Sequence, residues 1–234
     1  MTKFTTGVKA LDKLIGGIEC GAITQFFGEF GSGKSILMHQ LCVTVQLEHN
    51  LGGLNSFAIY IDNEGSFNPL KIEKIAKRFN VKDALKRIFI KRTWSFDDQL
   101  LSLKLTEEYI NKYGVKLIII DSVISHLRGE FPYQELLLLR QSLLKDFMNK
   151  LLDICSKYDV AGIITNQVLS ITQDEKHWML KPVGGNLINQ YCKYIIKLGK
   201  FKDKRYAKIF DAPEDDTNYV FFEIKEDGIY DLSP

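Results

Sequence analysis

Gly28-Glu29-Phe30-Gly31-Ser32-Gly33-Lys34-Ser35 is a stretch whose residue types do chemistry only because of their spacing. It fits G-x-x-x-x-G-K-[ST] in full, follows the apolar run Ala22–Phe27 and opens a helix-forming segment. Glycines at 28, 31 and 33 let backbone N–H groups curl around phosphate oxygens with no Cβ in the way. The start of the following helix adds its dipole. In such a loop the Lys34 ammonium reaches the β- and γ-phosphates and the Ser35 hydroxyl coordinates Mg²⁺. The expected phosphate-binding residues are Gly28, Glu29, Phe30, Gly31, Ser32, Gly33, Lys34, Ser35 and Ile36, with ATP and Mg²⁺ as cofactors.

Two acidic groups are expected beside this loop. Asp121 ends the run Leu117-Ile118-Ile119-Ile120, where a carboxylate at a strand tip faces the phosphates and holds Mg²⁺. Asp62-Asn63-Glu64 ends another apolar run, and a carboxylate there can act as general base on the attacking water. Chemistry alone leaves Asp62 and Glu64 as alternatives. Gln167, after Thr165-Asn166, either senses the γ-phosphate or caps a strand.

Positioning these groups requires alternating strands and helices. Strands are expected at Ala22–Phe27, Ser56–Ile61, Arg87–Lys91, Lys116–Ile120 and Val160–Thr165. The Lys116–Ile120 run is nearly all apolar, as suits a strand buried on both faces. Helices are expected over Val8–Ile15, stopped by Gly16-Gly17, over Lys34–Glu48, and from an Asn68 N-cap with Pro69 in the first turn. Ser95-x-x-Asp98 opens another to about Tyr113, and a long one covers Leu136–Tyr158. A polar loop spans 169–183, then a short helix and the β-rich segments Tyr194–Leu198, Tyr206–Phe210 and Tyr219–Ile224. The fold class is α/β: a P-loop NTPase with a mostly parallel central sheet, flanking helices and an antiparallel C-terminal edge.

The ordered set of motifs resembles the RecA/RadA recombinase family, most closely archaeal RadA and RadB proteins. It runs over nearly the whole chain: Thr6-Gly7 with Leu11-Asp12-x-Leu14-x-Gly16-Gly17, the phosphate loop, Gly52-Gly53-Leu54-Asn55 and Tyr60-Ile61-Asp62. Leu127-Arg128-Gly129-Glu130-Phe131, Thr165-Asn166-Gln167-Val168, Lys181-Pro182-Val183-Gly184-Gly185-Asn186 and Asp211-Ala212-Pro213 complete it. KaiC-like regulatory ATPases share the opening and the phosphate loop but not the 127–131 and 181–186 segments. The resemblance implies one RecA-like core over 1–234, without the N-terminal helix-hairpin-helix domain, as in RadB-type paralogues. It assigns the water-activating base to Glu64, the γ-phosphate sensor to Gln167, and a first DNA-binding loop to 128–140. A second DNA loop falls at about 168–186. Arg128, Arg140, Gly184, Gly185 and Asn186 then face the DNA backbone, and Asp211 and Pro213 match the segment that caps a neighbour's ATP.

Departures from the pattern matter equally. The first loop reads Pro132-Tyr133-Gln134-Glu135 and then Leu136–Leu139, with Gln134 where the family inserts an arginine. That leucine run either packs on the core or contacts a partner. Phe67-Asn68-Pro69-Leu70-Lys71 lacks the family's adenine-contacting arginine, putting purine selectivity in question at Asn68. Gln190 replaces a histidine that relays phosphate state between subunits. In the second loop Trp178 either stacks on a base, with Lys176 and Lys181 on phosphates, or folds onto the domain surface.

The net charge of +2 comes from 31 basic and 29 acidic residues and gives no global case for nucleic acid, yet it is a cancellation. Lys71–Arg92 holds nine basic residues against two acids, Lys193–Lys208 seven against one, and Asp211 to the end eight acids against one lysine. The first stretch reads as a solvated helix face, and the second as a hairpin that either is solvated, meets DNA, or supplies charge to a neighbour's ATP. No apolar run approaches the length of a membrane span, and the N-terminus has no signal core, so a cytoplasmic protein without membrane contact is expected. Cys20, Cys42, Cys155 and Cys192 are scattered and expected to be reduced. The expected function is that of an ATP-dependent DNA-binding recombinase paralogue in homologous recombination and repair, with slow Mg²⁺-dependent hydrolysis. The alternative is a non-catalytic ATP-binding adaptor. Partners are single-stranded DNA, with double-stranded DNA, a RadA recombinase, a recombination nuclease and ATP-bridged copies of the chain as further candidates.

Overall fold

A computed structural model describes residues 1–174, 177–202, 204–210 and 219–232, with the backbone course alone for 169–174 and 177–181. In chain order its elements are β1 (Lys3–Phe4), α1 (Lys9–Ile15), β2 (Ile18–Glu19), β3 (Ile23–Gly28) and α2 (Lys34–Thr44). There follow β4 (Ala58–Asp62), α3 (Pro69–Arg78), β5 (Ile88–Arg92), α4 (Phe96–Tyr113), β6 (Leu117–Asp121) and α5 (Ser125–Glu130). Then come α6 (Leu137–Tyr158), β7 (Ala161–Asn166), β8 (Val168–Asp174), β9 (His177–Pro182) and α7 (Gly185–Asn189). Strands β10 (Tyr194–Phe201), β11 (Lys204–Ile209), β12 (Tyr219–Lys225) and β13 (Gly228–Asp231) end the chain.

Nine strands form one sheet in the order β13-β12-β11-β10-β3-β7-β6-β4-β5. The six from β10 to β5 are parallel, while β11, β12 and β13 add an antiparallel edge. Strands β3, β4, β6 and β7 are buried along their whole length, which explains why their sequences are continuous apolar runs instead of alternating ones. On one face α1, α2 and α3 close a core around Phe26, Leu37, Leu41, Tyr60 and Ile75. On the other, α4, α5 and α6 close a second around Ile61, Phe96, Leu127, Phe147 and Leu151. Each such side chain contributes roughly 1.5–3 kcal/mol through burial.

Local signals act as their chemistry requires. Asn68 accepts from the Lys71 N–H at 3.2 Å and Ser95 from the Asp98 N–H at 3.0 Å, so both caps start their helices. Thr6 donates both its N–H (2.8 Å) and its hydroxyl (2.7 Å) to Asp12, which ties the opening motif to α1. The 71–92 stretch is only partly a solvated face. Arg78 stacks 3.5 Å over the Tyr230 ring and donates to the Ile229 carbonyl, clamping α3 to β13. The expected polar loop at 169–183 is instead a hairpin, β8 against β9, with Ser170 opposite Leu180. On β8 the apolar residues Val168, Leu169 and Ile171 are interrupted by Ser170 and Thr172 and followed by Gln173-Asp174, which hides the strand in the sequence. The cysteines are free among the described residues, and burial raises the thiol pKa of Cys20 to about 11 and of Cys155 to about 12.

Candidate functional site

The carboxyl ends of β3, β4, β6 and β7 lie side by side, and β3 is the strand at which the chain order reverses, with β7 on one side and β10 on the other. In open parallel sheets ligands bind at such a switch point. The phosphate loop leaves β3 there. Gly28 sits against β10 so closely that a Cβ would stand 2.1 Å from the Leu198 carbonyl oxygen, and Gly33 adopts φ +106 at the N-cap of α2. Both positions admit only glycine. Lys34 Nζ donates to the carbonyls of Gly28 (2.7 Å) and Glu29 (3.0 Å), which holds it within the loop. Burial lowers its pKa, against the opposing pull of Asp121, Glu64 and Glu29.

The loop fits a triphosphate on this structure's own terms. Ser32 Oγ is buried with no hydrogen-bond partner among the described residues, a polar atom facing a glycine-walled cradle. Phe30 at the loop tip is almost fully exposed, and Ser35 and Ile36 open α2 half-buried. No group of three or more His, Cys, Asp or Glu is placed to hold a metal among the described residues. The available donor set, one serine hydroxyl and one carboxylate beside phosphate oxygens, suits a Mg²⁺ that keeps waters and shares the substrate's oxygens.

Asp121, 1% exposed at the end of β6, is wrapped by hydroxyls. Tyr60 (2.7 Å) and Ser66 (2.6 Å) donate to its Oδ2, and Thr165 donates to Oδ1. Burial, with Asp121 beside it, pushes the Tyr60 phenol pKa well up, so Tyr60 remains a donor. Asp62, one strand over, is consumed by its own loop. Its Oδ1 accepts from the N–H groups of Gly65 (2.7 Å) and Ser66 (3.0 Å) and pairs with Arg92 at 3.3 Å, while Oδ2 accepts from Phe67 N–H at 3.2 Å. Glu64 is exposed on the turn that these bonds shape. Of the two carboxylates, Asp62 is bonded into the backbone and Glu64 is exposed.

Gln167 joins this region to the next. Its Nε2 donates to Glu64 Oε1 at 3.0 Å, and its Oε1 accepts from Arg128 Nη1 at 3.3 Å. Arg128 lies on α5, and Arg140 on the first turn of α6 donates to the Phe131 carbonyl at 3.2 Å. The two arginines line one cleft of about 420 Å³ with Pro132, Leu137, Val183 and Gly184. Gly184 and Gly185 take left-handed conformations (φ +81 and +49), and Asn186 is exposed beside them. The structure therefore brings Arg128, Arg140 and Gly184, which the resemblance assigns to two separate loops, to one cleft, with Gly185 next in the chain. Trp178 and Lys181 belong to β9, but their side chains, like Lys176, Asp211 and Pro213 altogether, lie outside the described residues. Leu138 and Leu139 are 79% and 47% exposed, so half of the leucine run faces outward.

The sequence assigns no role at this site to Tyr60, Ser66, Thr165 or Arg92. Only Arg92 carries a legible signal: it ends β5 in register opposite Asp62. The hairpin β10–β11, for which the sequence leaves open a solvated turn, a DNA contact or charge for a neighbour's ATP, lies against this chain's own loop: Arg205 Nε donates to the Gly31 carbonyl at 3.2 Å. Among known families, a family model described as Rad51 matches this chain over residues 1–232.

Proposed function

The chain belongs to the Rad51 family, a family of RecA-like recombination and DNA-repair ATPases, and from that premise we propose that it is a RadB-type recombinase paralogue with slow, DNA-modulated ATP hydrolysis. In this reading the loop N–H groups from Gly31 to Lys34 bind the phosphates, and Lys34 neutralises the β/γ oxygens. Ser35 and Asp121 hold Mg²⁺. Bound there, Mg²⁺ supplies charge neutralisation at the phosphate oxygens. Glu64 orients and deprotonates the attacking water, and the engagement of Asp62 by four donors supports choosing Glu64 for that task. Arg128, Arg140 and the Gly184-Gly185 N–H groups bind the DNA backbone, with Asn186, Lys176, Trp178 and Lys181 completing the surface. The chain acts as one ATPase core over 1–234.

The observation that carries the DNA-modulated part is the Gln167 amide, which bonds Glu64 and Arg128 at once. Any phosphate that competes for Arg128 changes the hydrogen bonding of the amide that holds the base. ATP turnover measured with and without single-stranded DNA, for the native chain and Glu64→Gln, tests this. Stimulation by DNA is expected, with turnover in the variant down about a hundredfold. Turnover indifferent to both would sink the reading.

A second reading rests on exposed Leu138 and Leu139: a non-catalytic ATP-binding mediator that engages a RadA recombinase or a nuclease through the start of α6. ATP binding with no turnover under any DNA condition selects it. ATP-bridged self-association is compatible with both. Among the described residues no helix is long and apolar enough to cross a membrane.

A further inference from the structure

Strand β10 pairs with β3 through Leu198 opposite Gly28 and then runs on past the end of that pairing, alongside the phosphate loop. Its next outward side chain is Lys200, since Gly199 has none. Lys200 reaches back over the loop: a Cβ placed on Gly31 would stand 2.9 Å from Lys200 Nζ and 3.3 Å from its Cε. The side chain is exposed, and no hydrogen bond or ion pair engages its ammonium among the described residues. Its charge is felt inside the loop, where it opposes the protonation of Lys34. On the return strand Arg205 fixes the approach by donating to the Gly31 carbonyl, so the hairpin is fastened to the loop by a bond that leaves the lysine free. Two ammonium groups converging on one glycine-rich loop, with Glu29 as the only acid within it, repel each other unless an anion lies between or beside them.

We propose that Lys200 is a second phosphate-binding cation of the nucleotide site, supplied in cis by the β10–β11 hairpin. It rests on the nucleotide-binding reading above and deepens it. Lys34 enters the cradle from the helix side and Lys200 closes it from the sheet edge, so the triphosphate is held between cations on two elements. Arg205 is a positioning residue that keeps Gly31 in place beneath Lys200. The charge therefore comes from the chain that owns the loop, and not from the next copy.

Equilibrium titration with fluorescent ATP and Mg²⁺ tests it for the native chain, Lys200→Gln, Lys200→Arg and Lys34→Ala. Lys200→Gln is expected to weaken binding about tenfold, and Lys200→Arg to stay within about twofold of native. Lys34→Ala is the control for the site itself. If the native chain binds no ATP, the nucleotide reading fails. If Lys34→Ala loses binding while Lys200→Gln stays within about twofold of native, the Lys200 proposal alone is overturned. Mixing Lys200→Gln with Lys34→Ala chains addresses cis against trans. Unchanged weak binding supports the cis assignment, and recovery of native affinity in the mixture overturns it.

Discussion

The strand tips around Asp121 and the cleft between α5 and α6 are neighbours built on opposite plans. At the tips both oxygens of Asp121 and of Asp62 have been given donors: three hydroxyls on Asp121, three backbone N–H groups and a guanidinium on Asp62. At the cleft the two arginines make one side-chain and one carbonyl contact, among apolar walls and glycines in left-handed conformations. A buried charge is tolerated only when its lone pairs are satisfied, so the tips are fixed by folding itself. Arginines at an open rim keep donors for a ligand that varies in sequence and path. The fold thus fixes the strand tips firmly and leaves the cleft, the DNA side of the proposed function, adjustable.

Asp121→Ala breaks that comparison hardest. It removes the acceptor shared by the hydroxyls of Tyr60, Ser66 and Thr165, leaving Tyr60 and Ser66, among the described residues, only the 3.2 Å bond between them, and a buried hydroxyl left unsatisfied costs about 1–3 kcal/mol. A loss of about 3–5 kcal/mol in folding stability is expected from urea denaturation, together with the loss of hydrolysis. A variant as stable as native would mean that the hydroxyl ring relaxes freely and that the tips are not the rigid part.

Arg128→Ala probes the other plan. Stability should stay within about 0.5 kcal/mol of native because Arg128 is exposed and, among the described residues, its guanidinium bonds only Gln167. Affinity for single-stranded DNA should fall about tenfold, and the slope of log affinity against log salt should flatten by about 0.7, the signature of one phosphate contact removed. A large stability loss with an unchanged salt slope would reverse the assignment, making Arg128 a strut and not a DNA contact.

The two plans also explain what could be read in advance. The strands around the site are visible as apolar runs because both their faces are buried, and the phosphate loop is visible because its glycines, lysine and serine are consecutive. Caps at Asn68 and Ser95 act within three residues and are equally plain. The ring on Asp121 is assembled from positions 61, 55 and 44 residues away, and each of Tyr60, Ser66 and Thr165 looks ordinary where it stands. Lys200 and Arg205 fail to announce themselves for the same reason, since only the β10–β3 pairing brings their hairpin to the loop. The charge run around them is legible, but the element it serves is a matter of strand order. Hairpin β8–β9 is hidden because its apolar residues come in short pieces, Leu169 and Ile171 on one strand and Trp178 to Leu180 on the other, between polar residues.

The smallest expected effect separates the two regions by pH. His39 on α2 lies between Tyr60 and Phe67, with ring centroids at 5.8 and 5.4 Å, and its Nε2 accepts the Asn68 N–H at 2.9 Å. Burial lowers its pKa below the ordinary 6.5. Protonating Nε2 would place a hydrogen against the Asn68 N–H and put a charge among aromatic rings. Because the unfolded chain binds this proton more readily than the folded one, the stability His39 contributes is complete above pH 6.5 and declines as pH falls below it. The decline is at most about 1.4 kcal/mol per pH unit for one proton. Denaturation midpoints between pH 7.5 and 5.5 should therefore drop in the native chain and drop less in His39→Gln, whose amide oxygen can accept the same N–H without titrating. Hydrogen exchange should report the loosening first at residues 62–68, the turn that holds Asp62, Glu64 and Asn68, and not at the rim of Arg128 and Arg140. Equal loosening at both would show that the nucleotide loop and the DNA rim open as one unit, and the division drawn between them would not hold.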